Sequence, residues 1–291
     1  MVSLGIDIGG TSTKVVARRG DQLLWTGQSK FYVNPDKSGL IHAIRSAVAG
    51  RIKTVDTVGM CVPGLFDVKT QQVTQSVNVP GLNHLSLARL VEEALGEAPR
   101  KNLAILNDAV ATAHDLWRSR GLSGRLLVWA LGTGVGASVL DDGVPLRVEG
   151  ISPGHLGQID VSIEDEPVVG PDGGAGGLEG YIGAGALSRK YGPDISAALD
   201  RFDGSEPPLR ALVRAIRIAH AIYRPNHIVL CGGIGIRLRR LLPVMRTMID
   251  DRLTSVARPD WDLSTGDNDF HAAKGAAAVA TERQLEVVTA D

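Results

Sequence analysis

The chain has 291 residues, 44% of them hydrophobic and 22% charged, with a net charge of −1 at pH 7. That is an ordinary globular balance, long enough for two lobes with separate cores, and it excludes disordered and fibrous classes. The near-neutral charge leaves no electrostatic footprint for nucleic acid or an anionic membrane surface, and the absence of a charged leader or a membrane-length apolar run makes the cytoplasm the expected location.

In chain order, Leu4 to Ile8 reads as a buried strand that runs into Asp7-Ile8-Gly9-Gly10-Thr11-Ser12-Thr13-Lys14. Val15 to Ala17 resumes as strand, and Gly20-Asp21 turns back into Leu23-Leu24-Trp25. Leu40 to Ala49 has helical apolar spacing and stops at Gly50, and Val55 to Val62 is a buried strand ending in Pro63-Gly64. Leu87, Leu90, Val91, Ala94 and Leu95 share one helical face, with Ser86 as N-cap and Gly96 as the stop. Leu103 to Leu106 is a short strand that delivers Asn107-Asp108 to a helix running toward Trp117.

The opening pattern then returns. Leu126 to Leu131 is a strand, Leu131-Gly132-Thr133-Gly134-Val135-Gly136 is a second Gly/Thr turn, Ala137 to Leu140 resumes, and Asp142-Gly143 reverses the chain before Pro145-Leu146. Gly9 to Gly20 and Gly132 to Gly143 are equal intervals. A Gly/Pro/Asp-rich stretch from Glu149 to Gly185 argues against regular elements. Leu209 to Tyr223 is helical, and Ile228 to Cys231 is a buried strand meeting Gly232-Gly233. Pro243 opens a helix bearing Val244, Met248, Ile249 and Leu253, and the last helix spans Ala272 to Glu286. Mixed strands and helices in two duplicated halves indicate an α/β fold.

The repeated turns carry chemistry. Glycines let successive backbone amides approach a polyphosphate, Thr11, Thr13 and Thr133 add hydroxyls, and Lys14 adds charge. Asp7 would repel phosphate unless a cation stood between them, so it is read as holding Mg²⁺ through water. The loose G-x-G-x-x-A match at Gly132 to Ala137 is set aside as a dinucleotide site, because a strand and tight reversal follow where a helix is required. Asp108, at the end of a buried strand, is the candidate base that accepts a hydroxyl proton in phosphoryl transfer. Cys61 and Cys231 lack disulfide or metal-ligand spacing and are expected to be buried thiols.

Taken together, these segments resemble the ROK sugar kinases and related bacterial glucokinases of the actin-like ATPase superfamily, nearly end to end. Asp7 to Lys14 is similar to the family's first phosphate motif, Val62-Pro63-Gly64 to its substrate-side turn, Asn107-Asp108 to its sugar-binding and catalytic pair, Leu131 to Gly136 to its second phosphate motif, and Ile228 to Gly233 to its adenosine motif. The resemblance implies two duplicated actin-like (ribonuclease H-like) lobes with a ligand cleft between them: residues 1–118 with the returning helix 272–291, and residues 119–271 with a substrate-contacting loop at 149–185. It further implies ATP and Mg²⁺, with Gly9, Gly10, Gly132, Gly134, Gly232 and Gly233 around the nucleotide, and a homodimer. Gly64, Asn78, Asn107 and Asp108 would meet a small-molecule sugar acceptor.

Two departures stand out. Gly154-His155-Leu156-Gly157-Gln158 aligns with the family's G-E-x-G-H segment, so His155 stands where a Glu is expected and Gln158 where a His is expected, while Glu179 matches the last sugar-contacting acid. The cysteines that many members use with that His to bind zinc are replaced around Gly170 to Gly177, so no zinc is expected. The expected activity is an ATP-dependent sugar kinase with Asp108 as general base. The alternatives are a non-catalytic sugar-sensing relative, disfavoured because the turn at Asp7 leaves no room before it for a DNA-binding segment, and an actin-like ATPase without a sugar substrate.

Overall fold

The structure, a computed structural model, describes residues 1–51, 54–67, 69–96, 103–148, 153–164 and 167–288. By its internal contacts the chain forms two compact units, Met1–Leu116 with Phe270–Asp291, and Trp117–Asp269. In chain order the elements are strands β1 (Val2–Ile8), β2 (Thr13–Arg19) and β3 (Gln22–Gln28), helix α1 (Lys37–Val48), strands β4 (Thr57–Cys61), β5 (Leu65–Asp67) and β6 (Gln72–Gln75), helix α2 (Leu87–Leu95), strand β7 (Ala104–Leu106) and helix α3 (Asp108–Arg120). There follow β8 (Arg125–Leu131), β9 (Val135–Asp141), β10 (Val144–Pro145), α4 (Leu178–Ile182), α5 (Ala184–Tyr191), α6 (Ile195–Asp200), α7 (Pro207–Tyr223), β11 (His227–Cys231), α8 (Gly232–Arg237), α9 (Leu242–Asp250), β12 (Asp262–Thr265) and α10 (His271–Val288).

The two units are wound alike. The first holds a five-stranded sheet in the order β3-β2-β1-β4-β7 and the second one in the order β10-β9-β8-β11-β12. In each, an antiparallel three-strand meander is continued by two parallel strands. This is the doubled α/β architecture expected from the repeated hairpins. The hairpin reversal at Asp142-Gly143 has both residues at positive φ, the conformation a two-residue hairpin turn needs.

In the first unit the inner strands are buried on both faces, as parallel strands flanked by helices must be. Leu4, Ile6 and Ile8 pack with Val15, Leu40, Ile44, Leu87 and Leu90 on one side. The other side meets α10, and there the sheet is built from small residues: a Cβ on Gly5 would come 1.8 Å from the Ala273 carbonyl oxygen, and one on Gly59 2.0 Å from that of Ala276. The alanines of α10 match this flat face. In the second unit, Leu127, Trp129 and Leu131 of β8 pack with Leu212, Ile216 and Ala219 of α7.

Local signals behave as their chemistry demands. The Asp36 carboxylate accepts the Gly39 amide at 2.7 Å and starts α1 at Lys37, earlier than the apolar spacing alone places it. Ser86 accepts the Arg89 amide and Gly96 closes α2 in the left-handed region, as expected. One expectation needs correction, and two features have no counterpart in the sequence reading. The hairpin β5–β6 has no periodic signal and was not anticipated. The stretch 149–185, of which 149–152 and 165–166 lie outside the described residues, does contain regular structure: a 3₁₀ turn at Leu156–Gln158, all of α4 and the start of α5. Burial of Leu178, Tyr181 and Ile182 in the core overrides the glycine content there. On α9 the inward face is Met245 and Ile249, while Val244 is 42% exposed. No helix among the described residues is long and apolar enough to cross a membrane.

Candidate functional site

In the first unit, β1 carries Asp7, 8% exposed, opposite Lys14 on β2 and beside Cys61 at the end of β4. Between Ile8 and Thr13 the chain makes its glycine turn, closed by the Gly9 amide donating to the Ser12 carbonyl at 3.0 Å. The next three amides, Gly10, Thr11 and Ser12, have no acceptor among the described residues. Three consecutive amides without an acceptor, with a hydroxyl on Thr11 and another on Ser12, are donors of the kind that suit an anion. Thr13, by contrast, is fully buried, and its amide is taken by Ser29 Oγ at 2.9 Å. Its hydroxyl lies 3.2 Å from that of Tyr32, so Thr13 belongs to the support of the turn.

At the end of β7, Asn107 caps α3 through its own side chain, with Oδ1 accepting the Ala109 amide at 2.9 Å. The Asp108 Oδ1 shares that amide at 2.8 Å, which fixes the carboxylate at the first turn of the helix. Burial raises the Asp108 carboxyl above the usual range, opposed by the Ala109 amide and by the positive charge of Lys14. Asp7 and Asp108 both add to the burial that pushes the Cys61 thiol far up, so Asp7, Cys61 and Asp108 form one cluster of strand ends. The neutral thiol donates to the Ala272 carbonyl at 3.5 Å. Gly64 has φ +98°, and a Cβ on it would lie 2.1 Å from the Gln75 carbonyl oxygen, so the β5–β6 hairpin alone demands glycine there. Asn78, just past β6, is partly exposed and has no side-chain partner among the described residues.

In the second unit the site residues gather around the turn between β8 and β9. The Gly132 amide donates to the Gly134 carbonyl at 3.0 Å, and the Gly132 carbonyl accepts from Ala184 at 2.9 Å. The Thr133 and Gly134 amides have no acceptor among the described residues. Glu179, at the start of α4, accepts the Val135 amide through Oε2 at 2.9 Å, and burial raises its carboxyl against that hydrogen bond. Glu179 therefore ties the β8–β9 turn to the 177–183 segment, a link the sequence did not reveal. His155 and Gln158 bracket the 3₁₀ turn, joined by the Gln158 amide to the His155 carbonyl at 2.9 Å, and both side chains are exposed. Gly157 between them lies against Val135, and Gly232 lies against the Leu131 carbonyl, while Gly233 faces open space. Tyr32 and Ser29 were missed because they belong to no motif.

The donor chemistry discriminates between metals. The segment corresponding to the zinc-binding positions is held by its own hydrogen bonds: Gly170 amide to Gly174 carbonyl at 2.8 Å, Gly176 amide to Val168 carbonyl at 2.9 Å, and Val161 amide to Gly176 carbonyl at 2.9 Å. Asp172 Oδ1 accepts the Gly174 amide at 3.3 Å. Among the described residues no group of three or more His, Cys, Asp or Glu is placed to hold a metal ion. A single carboxylate beside open amides suits Mg²⁺, which keeps most of its waters and takes its remaining ligands from phosphate. Both cysteines, Cys61 and Cys231, are buried and unbridged.

The model of the ROK family matches residues 3–283. N-acetylmannosamine kinase of Vibrio cholerae is 27% identical over 250 residues, covering 81% of this chain and 85% of the relative. Among solved structures, a ROK family glucokinase from Streptomyces griseus in complex with glucose and AMPPNP superposes with a TM-score of 0.76 at 20% identity, covering 97% of this chain and 100% of that one. A ROK family transcriptional regulator, a homologue of the E. coli MLC protein, gives 0.73 at 19% identity, covering 97% of this chain and 78% of the regulator.

Proposed function

Because the chain belongs to the ROK family, we propose that it is an ATP-dependent sugar kinase, transferring the γ-phosphate of ATP to a hydroxyl of a sugar or sugar-like acceptor. The observation that carries this reading is the pairing, in one unit, of the three open amides of Gly10 to Ser12 with a helix-anchored Asp108 whose carboxyl burial raises. Open amides together with a carboxylate of elevated basicity suit phosphoryl transfer to an alcohol, where positioning and charge stabilisation do most of the work.

Asp108 accepts the proton of the attacking hydroxyl, and the Ala109 amide holds its Oδ1 so that the carboxylate does not swing away. In the first unit the Gly10, Thr11 and Ser12 amides and Lys14 are the groups for phosphate oxygens, and in the second unit the Thr133 and Gly134 amides are donors of the same kind. Gly9 and Gly132 shape the two turns, Thr13 braces the first, and the Gly232-Gly233 turn receives the adenosine part. Asp7 would hold Mg²⁺ through water, and the ion would offset phosphate charge. The groups for acceptor hydroxyls are Gly64, Asn78 and Asn107 in the first unit and His155, Gln158 and Glu179 in the second. With imidazole and amide at His155 and Gln158 in place of a carboxylate and an imidazole, the hydroxyl pattern preferred is not that of glucose.

The likeness to a ROK transcriptional regulator favours a sugar sensor as the second reading. One experiment separates the two: ADP release from ATP and Mg²⁺ across hexoses, N-acetylated amino sugars, pentoses and polyols. Acceptor-dependent ADP release is the expected result. Acceptor binding without any ADP release across the whole set leaves the sensor.

A further inference from the structure

The segment that follows β3 has no regular structure, yet Ser29 and Tyr32 share five hydrogen bonds with the first phosphate turn. The Ser29 amide donates to the Thr13 carbonyl at 2.9 Å, and Ser29 Oγ accepts the Thr13 amide at 2.9 Å. The Tyr32 amide donates to the Thr11 carbonyl at 2.9 Å, and the Tyr32 hydroxyl donates to the Gly9 carbonyl at 2.7 Å. With its proton so committed, the phenol oxygen receives the Thr13 hydroxyl at 3.2 Å. Phe31 and Val33 on either side are 73% and 70% exposed, so no apolar burial draws this segment inward.

These bonds sort the turn by polarity. The carbonyls of Gly9, Thr11 and Thr13 are occupied by Ser29 and Tyr32, and that of Ser12 by the Gly9 amide; among the described residues the Gly10 carbonyl has no donor, and the amides of Gly10, Thr11 and Ser12 stay open. A turn with two glycines can rotate its peptide planes cheaply, and each rotation that aims a carbonyl at a phosphate replaces attraction by repulsion. Removing those alternatives before the ligand arrives is preorganisation, which strengthens binding without a new contact.

We infer that Tyr32 is a positioning residue for the nucleotide: its hydroxyl and amide hold the Gly9 and Thr11 carbonyls away from the phosphates and leave the Gly10, Thr11 and Ser12 amides to meet them. The assignment rests on the phosphotransfer reading above. Burial, and to a lesser extent the charge of Asp7, push the phenol up to about 12, so its proton stays in place across the working range and the hydroxyl remains a donor.

The test is Tyr32→Phe in the full chain, which deletes only the oxygen. Calorimetric titration with MgATP and steady-state kinetics are run on both proteins. The expected result is a rise of roughly ten-fold in Kd and KM for ATP, the effect of one lost hydrogen bond in a shaped site. The acceptor KM and kcat stay within about two-fold, as expected of a residue that acts on nucleotide binding alone. Unchanged ATP affinity in Tyr32→Phe, or equal losses for ATP and acceptor, overturns the assignment, since a ring that only packs is replaced by Phe without consequence. Should Tyr32→Phe lose its cooperative melt, Ser29→Ala is read by the same ATP-to-acceptor ratio. Wild-type protein that binds no MgATP overturns the phosphotransfer reading itself and this assignment with it.

Discussion

Asp108 is pulled two ways: burial raises its carboxyl, while the Ala109 amide and Lys14 draw it back. A base in that balance is protonated, and useless, below its raised value, so kcat/KM should fall as pH drops through it. Asp108→Ala should fold and bind nucleotide but lose roughly 10²- to 10⁴-fold in sugar phosphorylation, the usual contribution of a positioned general base, and lose that acid limb. Near-wild-type turnover with the best acceptor would end the role. His155 and Gln158 make a second residue-scale case. If they stand for a sugar-binding Glu and His, glucose should be a poor acceptor, and the double change His155→Glu with Gln158→His should raise its kcat/KM about ten-fold or more relative to the native acceptor. The two residues bracket one 3₁₀ turn, so single changes should do little. Efficient use of glucose by the unmodified protein would refute it.

Elements are joined here by close backbone approach as much as by side-chain packing. The helix α10 lies so near β1 and β4 that Gly5 and Gly59 leave no space for a methyl group, so Gly59→Ala should cost about 3 kcal/mol or more through forced displacement of the helix, read from the denaturation midpoint. An unchanged midpoint would mean that α10 yields easily. In the second unit, His220 of α7 is 1% exposed, and its ring stacks edge-on against Trp261 at 4.5 Å. Neither ring nitrogen has a hydrogen-bond partner among the described residues. Arg246 sits over the Trp261 ring and Asp250 accepts from the indole, so one cation and one carboxylate face this stack. Burial, assisted by Arg246, lowers His220 from 6.5 to about 4. Between those values the unfolded chain binds the extra proton, so stability rises with pH there: the contribution is complete above the unfolded value and is lost as pH falls toward the folded one. It amounts to about 3 kcal/mol at most, and His220→Phe should flatten that arm of the urea-midpoint profile between pH 4 and 7. An equally steep arm in the variant would place the acid sensitivity elsewhere.

At the scale of the molecule, two units of the same winding each place a glycine turn between the first two strands of a five-stranded sheet. The segment that departs from the family's zinc positions closes on itself by backbone hydrogen bonds, so a chelator should leave Tm unchanged and purified protein should carry no stoichiometric zinc. One tightly held zinc per chain would overturn that. The sequence by itself determined the doubled α/β plan, because strand periodicity, paired glycine turns and equal hairpin intervals are local signals. It also marked the helix bounded by Ser86 and Gly96, where cap chemistry acts within a few residues. It did not determine α4 or the inward face of α9, since burial against distant residues, not local preference, forms them, nor the largely exposed β5–β6 hairpin, which has no periodic signal. Nor could it show that Glu179 takes the Val135 amide across 44 positions or that Tyr32 takes the Gly9 carbonyl across 23. Motifs record which residues can meet a ligand; only the folded chain decides which of their hydrogen-bonding groups are already spent on one another.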